Sequence, residues 1–165
     1  MNLFGMRTGP VLALALVGAA GCGGGDDSSG ALSKSEYQKE GNAICKAALD
    51  KATDIPAPRS PDGVADYLEK LFALTDDANQ DFKALDPPES LKKDHDLAVK
   101  SAEEGEAKLD AILDRVRQSD NPQTTVLREF KKLAPDLKED IEISRRLGLE
   151  ECLKTPGTSA PSETS

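Results

Sequence analysis

The heptad spacing of residues 91–116 constrains the fold more than any other stretch of the chain. Apolar and small side chains recur there every three or four residues, and a histidine belongs to the same series. This 4-3 alternation predicts a helix that packs against its neighbours at about +20°. Ala and Gly fill the middle of the series, which allows close approach of a partner. The series comprises Leu91, His95, Ala98, Ala102, Gly105, Leu109, Ile112 and Val116.

Two helices are predicted before this stretch. The first covers about 34–53 and follows Ser33 and Glu36, whose spacing fits a capping box. The second starts at the Ser-Pro pair 60–61, an N-cap followed by proline at the first helical position, and runs to about residue 85. The expected core face of the first helix is formed by Tyr37, Gly41, Ile44, Ala48 and Ala52.

A fourth helix is predicted after a turn at 119–122 and ends at Leu147, where the following Gly148 suits a Schellman ending. Pro135 falls inside the pattern and removes one backbone hydrogen bond, so we expect a kink or short break near Leu133. The expected core face comprises Val126, Phe130, Leu133, Leu137, Ile141, Ser144 and Leu147.

The fold class follows from these four segments. Their short connections favour antiparallel neighbours, and strand-forming residues never alternate over a useful length. We therefore expect an all-α domain with the up-down-up-down topology of a four-helix bundle.

The N-terminal stretch indicates export. An apolar run at 11–17, too short to span a membrane, follows a segment with one base, and Ala19-Ala20-Gly21-Cys22 comes next. This pattern resembles the lipobox of bacterial lipoprotein signals, although Ala19 stands where that class most often has Leu. The resemblance implies cleavage before Cys22, acylation of that cysteine with palmitate-type chains, and a lipid-anchored protein on the extracytoplasmic face of the cell membrane. The alternative is an ordinary secretory signal in which Cys22 is incidental.

The expected organisation has four parts. A signal peptide (1–21) precedes a flexible Gly/Ser/Asp tether (22–32), a four-helix domain (33–153) and a disordered Pro/Ser/Thr-rich tail (154–165). The formal charge is −9, and cleavage of the signal, which carries one base and no acid, leaves −10. Such a charge repels nucleic acid and anionic lipid head groups, so we expect membrane attachment through the lipid alone and no nucleic-acid partner.

The three cysteines suggest a division of roles. If Cys22 is acylated, Cys45 and Cys152 remain and can pair, provided that the segment after Gly148 folds back along the first helix. Such a link would close a loop of about 107 residues and contribute roughly 4 to 5 kcal/mol in the chain-entropy model. An early Ala-Ile-Cys (43–45) and a late Gly-Leu-x-x-Cys (148–152) resemble a group of small actinobacterial lipoproteins without an assigned activity. That resemblance implies the same disulfide and a helical fold.

Candidate chemistry is sparse. His95 is the one histidine and could serve as a metal ligand or proton shuttle, but a boundary histidine packed near the end of the bundle is the simpler interpretation. Both methionines precede Cys22, so haem or copper ligation by Met is excluded after cleavage. Asp77, Asn79 and Asp81 have calcium-loop spacing but lie in a helical pattern without the required glycine. We expect no cofactor and no metal.

The acidic clusters 103–110 and 139–142 alternate with lysines, as solvated helix faces do. Without a catalytic motif, the expected function is that of a non-enzymatic interaction or accessory module of the cell envelope, with a possible envelope protein partner. The alternative is a binding protein for a small or apolar ligand between the helices, where Gly41, Ala98, Ala102 and Gly105 thin the packing. A cavity of a few hundred cubic ångströms would favour the ligand, and a solid core with an exposed apolar patch would favour the protein partner.

Overall fold

The computed structural model describes residues 30–154, which form an all-α four-helix bundle. The helices are α1 (Lys34–Thr53), α2 (Val64–Lys83), α3 (Glu89–Arg117) and α4 (Pro122–Leu147). Short 3₁₀ turns at Pro61–Gly63 and Glu150–Leu153 precede α2 and follow α4. None of the described helices combines the length and apolarity that a membrane crossing requires. The expected signal, Cys22, most of the tether and the tail beyond residue 154 lie outside the described residues.

Local capping explains where α1 and α4 begin. At α1, Ser33 Oγ accepts the Glu36 amide at 3.3 Å, and Glu36 Oε2 accepts the Ser33 amide at 2.9 Å. This confirms the predicted capping box. At α4, Asn121 Oδ1 accepts the Thr124 amide at 3.2 Å. Both caps satisfy backbone donors that the first helical turn leaves without intrahelical partners.

The apolar core is divided into two clusters at opposite ends of the bundle. The near cluster lies where α1 begins and α4 ends, and the far cluster lies where α2 begins and α3 ends. Leu32 joins the near cluster, and its amide donates to Asp86 O at 3.0 Å, which fixes the start of the domain beside the α2–α3 connection. The buried members are Tyr37, Leu91, Ile143, Leu147 and Leu149 in the near cluster, and Val64, Leu68, Ile112, Leu113 and Val116 in the far cluster.

The chain folds back on α1 after α4, as predicted. Gly148 has φ of 76°, and the Leu149 amide donates to Ser144 O at 2.9 Å, as in a Schellman ending. This turn places the buried Leu149 in the near cluster and brings Cys152 alongside α1. Cys45 and Cys152 form a disulfide with 5.0 Å between their Cα atoms, so the predicted pairing is confirmed.

Asn42 ties the returning segment to α1 with hydrogen bonds in both directions. Its Nδ2 donates to Gly148 O at 3.0 Å, and its Oδ1 accepts the Glu151 amide at 2.8 Å. Gln38 Nε2 adds a bond to Leu147 O at 3.0 Å. These side-chain bonds satisfy backbone groups that neither the helix nor the 3₁₀ turn could pair.

Two expectations for α4 are not met. The helix is continuous through Pro135, so the short break considered near Leu133 is absent. The proline lies at an exposed position of the helix. Leu137 and Ile141, expected in the core, are 48% and 39% exposed. Ile143, which was absent from the expected core face, is buried because the C-terminal turn of α4 rotates it toward Tyr37 and Leu91.

Candidate functional site

A cavity of about 320 Å³ lies in the middle of the bundle, between the two core clusters. All four helices line it, and the fold-back segment contributes Leu149 and the Cys152 half of the disulfide. Leu137 belongs to the lining and is half exposed, so the cavity opens to solvent beside α4. Its apolar wall is formed mainly by Ile44, Ala78, Phe82, Ala98, Ala102, Gly105, Leu109 and Leu133.

Small residues on α3 create this space. Ala98, Ala102 and Gly105 occupy successive core positions of the heptad series, and each lines the cavity. A Cβ added at Gly105 would meet no atom within 4 Å apart from its own helix. The predicted thinning of the packing is therefore found at these three residues.

Gly41 departs from that prediction, because its space is already filled. A Cβ added there would lie 2.6 Å from Leu149 Cδ2 and 3.7 Å from Phe82 Cε2. Gly41 is buried and lets the returning chain pack directly on α1. Its role is close packing around Leu149, and it does not line the cavity.

Three carboxylates stand on the polar side of the cavity lining, and each has one hydrogen-bonding partner. Two of these partners are neutral and the third is a lysine, so one of the three pairs is an ion pair. The neighbouring carboxylate holds the pKa of Lys108 above its usual value through their hydrogen bond. The pairs are Asp140 with Ser101 Oγ at 2.5 Å, Glu106 with Asn79 Nδ2 at 2.9 Å, and Asp136 with Lys108 Nζ at 2.8 Å.

His95 lies in the near cluster and not in the cavity lining. It is 5% exposed, and its Nδ1 lies 2.9 Å from Tyr37 Oη. Phe82 stacks at a tilt against the imidazole with 5.0 Å between ring centroids. Burial lowers the pKa of His95 and raises the pKa of Tyr37, so both side chains are neutral at pH 7. His95 therefore packs near one end of the bundle, as considered from the sequence, but it is buried in the core and not at the boundary.

Glu129 is a buried carboxylate that the sequence did not single out. It is 3% exposed, and Lys132 Nζ contacts its two oxygens at 2.8 and 2.9 Å. Arg128 and Arg115 complete a ring of three cations, each with Nε at 3.1 Å. The hydrogen bond from Lys132 is the largest cause of the lowered pKa of Glu129. Three cations surround the Glu129 carboxylate, and its ion pair with Arg115 links α4 to α3 at the far end of the bundle.

Metal-binding side chains are not clustered within residues 30–154. No group of three or more His, Cys, Asp or Glu side chains there is placed to hold an ion. Asp77 and Asn79 lie within α2, and Asn79 is engaged with Glu106. The residues with calcium-loop spacing therefore lie within a helix, as the sequence pattern indicated.

Comparison with protein-family models, with curated proteins and with solved structures found no match. The proposals below therefore depend on the geometry of the domain.

The involvement of Asp140 was missed from the sequence, although its position carried a signal. A strict 4-3 alternation from Leu133 runs through Leu137, Asp140 and Ser144. The expected core face used Ile141 instead, because an apolar residue was preferred to an acid. The helix keeps the regular spacing, so Asp140 faces inward and Ile141 faces outward.

Proposed function

We propose that this domain binds a small, largely apolar molecule in its central cavity, as a non-enzymatic module of the cell envelope. The observation that carries the proposal is the 320 Å³ space between two well-packed clusters. Ligand pockets in proteins span about 300 to 1,000 Å³ and combine apolar walls with a few polar groups. A bundle of this size could close such a gap with larger side chains, but Ala and Gly stand at the heptad positions that would fill it.

The cavity is supported from both sides, which suits a binding role. Leu149 and the disulfide hold its near wall, and Leu133 on the far side packs against the second cluster. A space bounded by fixed walls requires little reorganisation when a ligand enters, so less of the binding free energy is lost to ordering.

Attachment through an acylated Cys22 is a second part of the proposal. The described chain begins at the near end of the bundle, where Leu32 is fixed beside Asp86. The eight residue steps from Cys22 to Gly30 could span at most about 28 Å when extended. With the lipid in the membrane, the near end would face the bilayer and the cavity would stand further out.

A protein partner is the second candidate function. Leu137 and Ile141 are one turn apart on α4 and are exposed together, beside the opening of the cavity. Such a pair could contribute to docking of an envelope protein. The patch is small, and typical partner surfaces are larger, so the cavity supports the ligand role more strongly.

Titration with the neutral fluorescent probe N-phenyl-1-naphthylamine tests the binding role. The exported full chain carrying Cys22→Ser allows measurement without detergent, which would compete for the site. We expect saturable binding at one site, weakened at least tenfold by Gly105→Leu, because the new side chain enters the cavity. Ala73→Leu is the matched control, since Ala73 is exposed on α2 and lies outside the lining. Absence of binding, or equal binding by the Gly105→Leu variant, would contradict the proposal.

A further inference from the structure

We propose that the cavity selects a single-chain amphiphile with a cationic, ammonium-type head group, and that it discriminates against anionic amphiphiles. This inference rests on the proposed binding function and adds the chemical class of the ligand. It is carried by the placement of charge on the cavity wall together with the size of the apolar space.

The charge on the wall is unbalanced. Three carboxylates and one ammonium group belong to the lining, and Lys108 is already paired with Asp136 at 2.8 Å. Asp140 and Glu106 have only neutral donors, Ser101 and Asn79. The lining therefore carries more acids than bases. Lys108 also acts on Asp140 through space, but neither Asp140 nor Glu106 receives a hydrogen bond from a lining cation.

The free hydrogen-bonding capacity of these groups is that of acceptors. An ionised carboxylate accepts at about four lone-pair positions and donates none, and each of the two uses one acceptor position on its neutral partner. A cationic head group with N–H donors can fill the remaining positions with charge-assisted bonds. A carboxylate or phosphate head group would add a further acceptor beside two like charges.

The apolar space limits the tail. A volume of about 320 Å³ is at the small end of ligand pockets, which suits one alkyl chain and excludes a two-chain lipid. Ala98, Ala102 and Leu109 supply apolar wall on α3, so a chain can lie along this helix. Glu106 is on the same helix, and Asp140 on α4 is bonded to Ser101 of α3, which places the head group and the tail of one molecule within a single site.

A matched decyl series separates the head group from the tail. Decylamine, decanol and decanoate have the same chain and differ in charge at pH 7. Each would be used to displace N-phenyl-1-naphthylamine from the full chain carrying Cys22→Ser, below the micellar range. We expect decylamine to displace the probe at a concentration at least tenfold lower than decanoate, with decanol between them.

Two neutralising variants identify the origin of the preference. Asp140→Asn and Glu106→Gln should each reduce the ratio between decylamine and decanoate by about threefold or more. Asp110→Asn is the control, because it changes the net charge equally at an exposed position outside the lining. Using two variants keeps the test valid if one of them fails to fold, which circular dichroism would report.

The outcomes distinguish this inference from the proposed function. If decanol binds and the three head groups are equivalent, or if Asp110→Asn weakens the preference as much as Asp140→Asn, the head-group inference is overturned and the binding role stands. If neither the probe nor decanol binds, the binding role itself fails. A preference for decylamine that disappears with Asp140→Asn or Glu106→Gln supports the inference.

Discussion

Tyr37 Oη lies 2.9 Å from His95 Nδ1, and this hydrogen bond joins α1 to α3 inside the near cluster. Phe82 packs on both rings, with centroid separations of 6.1 Å to Tyr37 and 5.0 Å to His95. These three aromatic side chains, one from each of three helices, thus form a cluster with a hydrogen bond at its centre. Burial disfavours a charge on either member of the hydrogen bond, which makes this end of the bundle sensitive to protonation.

The first prediction concerns pH. Burial lowers the pKa of His95 below its ordinary value of 6.5, so the unfolded chain binds the proton more readily than the folded one. Stability from this residue is complete above pH 6.5 and is lost as pH falls toward the lower folded pKa. We expect the free energy of unfolding to fall between pH 7 and pH 5, by no more than about 1.4 kcal/mol per pH unit.

The His95→Gln variant provides the comparison for that prediction. The charges of Asp96 and Asp86 act on the imidazole in the opposite direction to burial, and the charge of Lys92 acts in the same direction. The variant should be less stable at pH 7 and should lose little further stability down to pH 5. Equal slopes in urea unfolding series for the two chains would contradict the assignment.

The second prediction concerns the disulfide. Cys45 and Cys152 are separated by 107 residues in sequence, and the bond anchors the fold-back segment to α1 beside the cavity. Replacing both cysteines by Ser should lower the free energy of unfolding by about 2 to 5 kcal/mol. Reductant should destabilise the wild-type chain by a similar amount and leave the double variant unchanged. Labelling of both thiols in unfolded, unreduced wild-type protein would show that the bond is absent.

The third prediction uses two glycines in core-facing positions. Gly105→Ala should raise the free energy of unfolding by about 0.5 to 1 kcal/mol, because Ala favours the helix and the new methyl enters empty space. Gly41→Ala gains the same helix propensity but forces Leu149 aside, and overpacking costs about 1 to 3 kcal/mol. The second variant should therefore be less stable than wild type. Changes of the same sign in thermal and urea unfolding would contradict the location of the cavity.

The fourth prediction concerns the proposed anchor. Cys22→Ser should release the chain from the membrane fraction, because its acidic surface does not bind anionic head groups. Cys152→Ser makes the same chemical change within the domain and should leave the chain in the membrane fraction. Unchanged partitioning of the Cys22→Ser chain into the detergent phase would exclude lipidation at that residue.

The helices and their connections could be predicted from the sequence because their signals are local. Ser33 and Glu36 cap α1 within one turn, and Gly148 ends α4 through its own backbone freedom. The fold-back was also predictable, since two cysteines restricted where the chain could go. These features depend on a few neighbouring residues and on chain length.

The cavity could be anticipated only as a region of thin packing. Gly41 and Gly105 have the same heptad character, but whether a glycine is filled depends on a distant segment, and Leu149 reaches only Gly41. The inward position of Asp140 could have been predicted only by giving the 4-3 spacing more weight than the polarity of the side chain. Pro135 removes one backbone hydrogen bond, but α4 continues through it.

Methyl NMR on the full chain carrying Cys22→Ser tests the central claim most directly. Addition of decanol should shift the methyl signals of Ala98, Ala102 and Leu109, which line the cavity. The signals of Leu68 and Val116 in the far cluster should stay unchanged. Gly105→Leu should abolish the shifts. Shifts confined to the exposed Leu127, or none at saturating decanol, would contradict a binding cavity between the four helices.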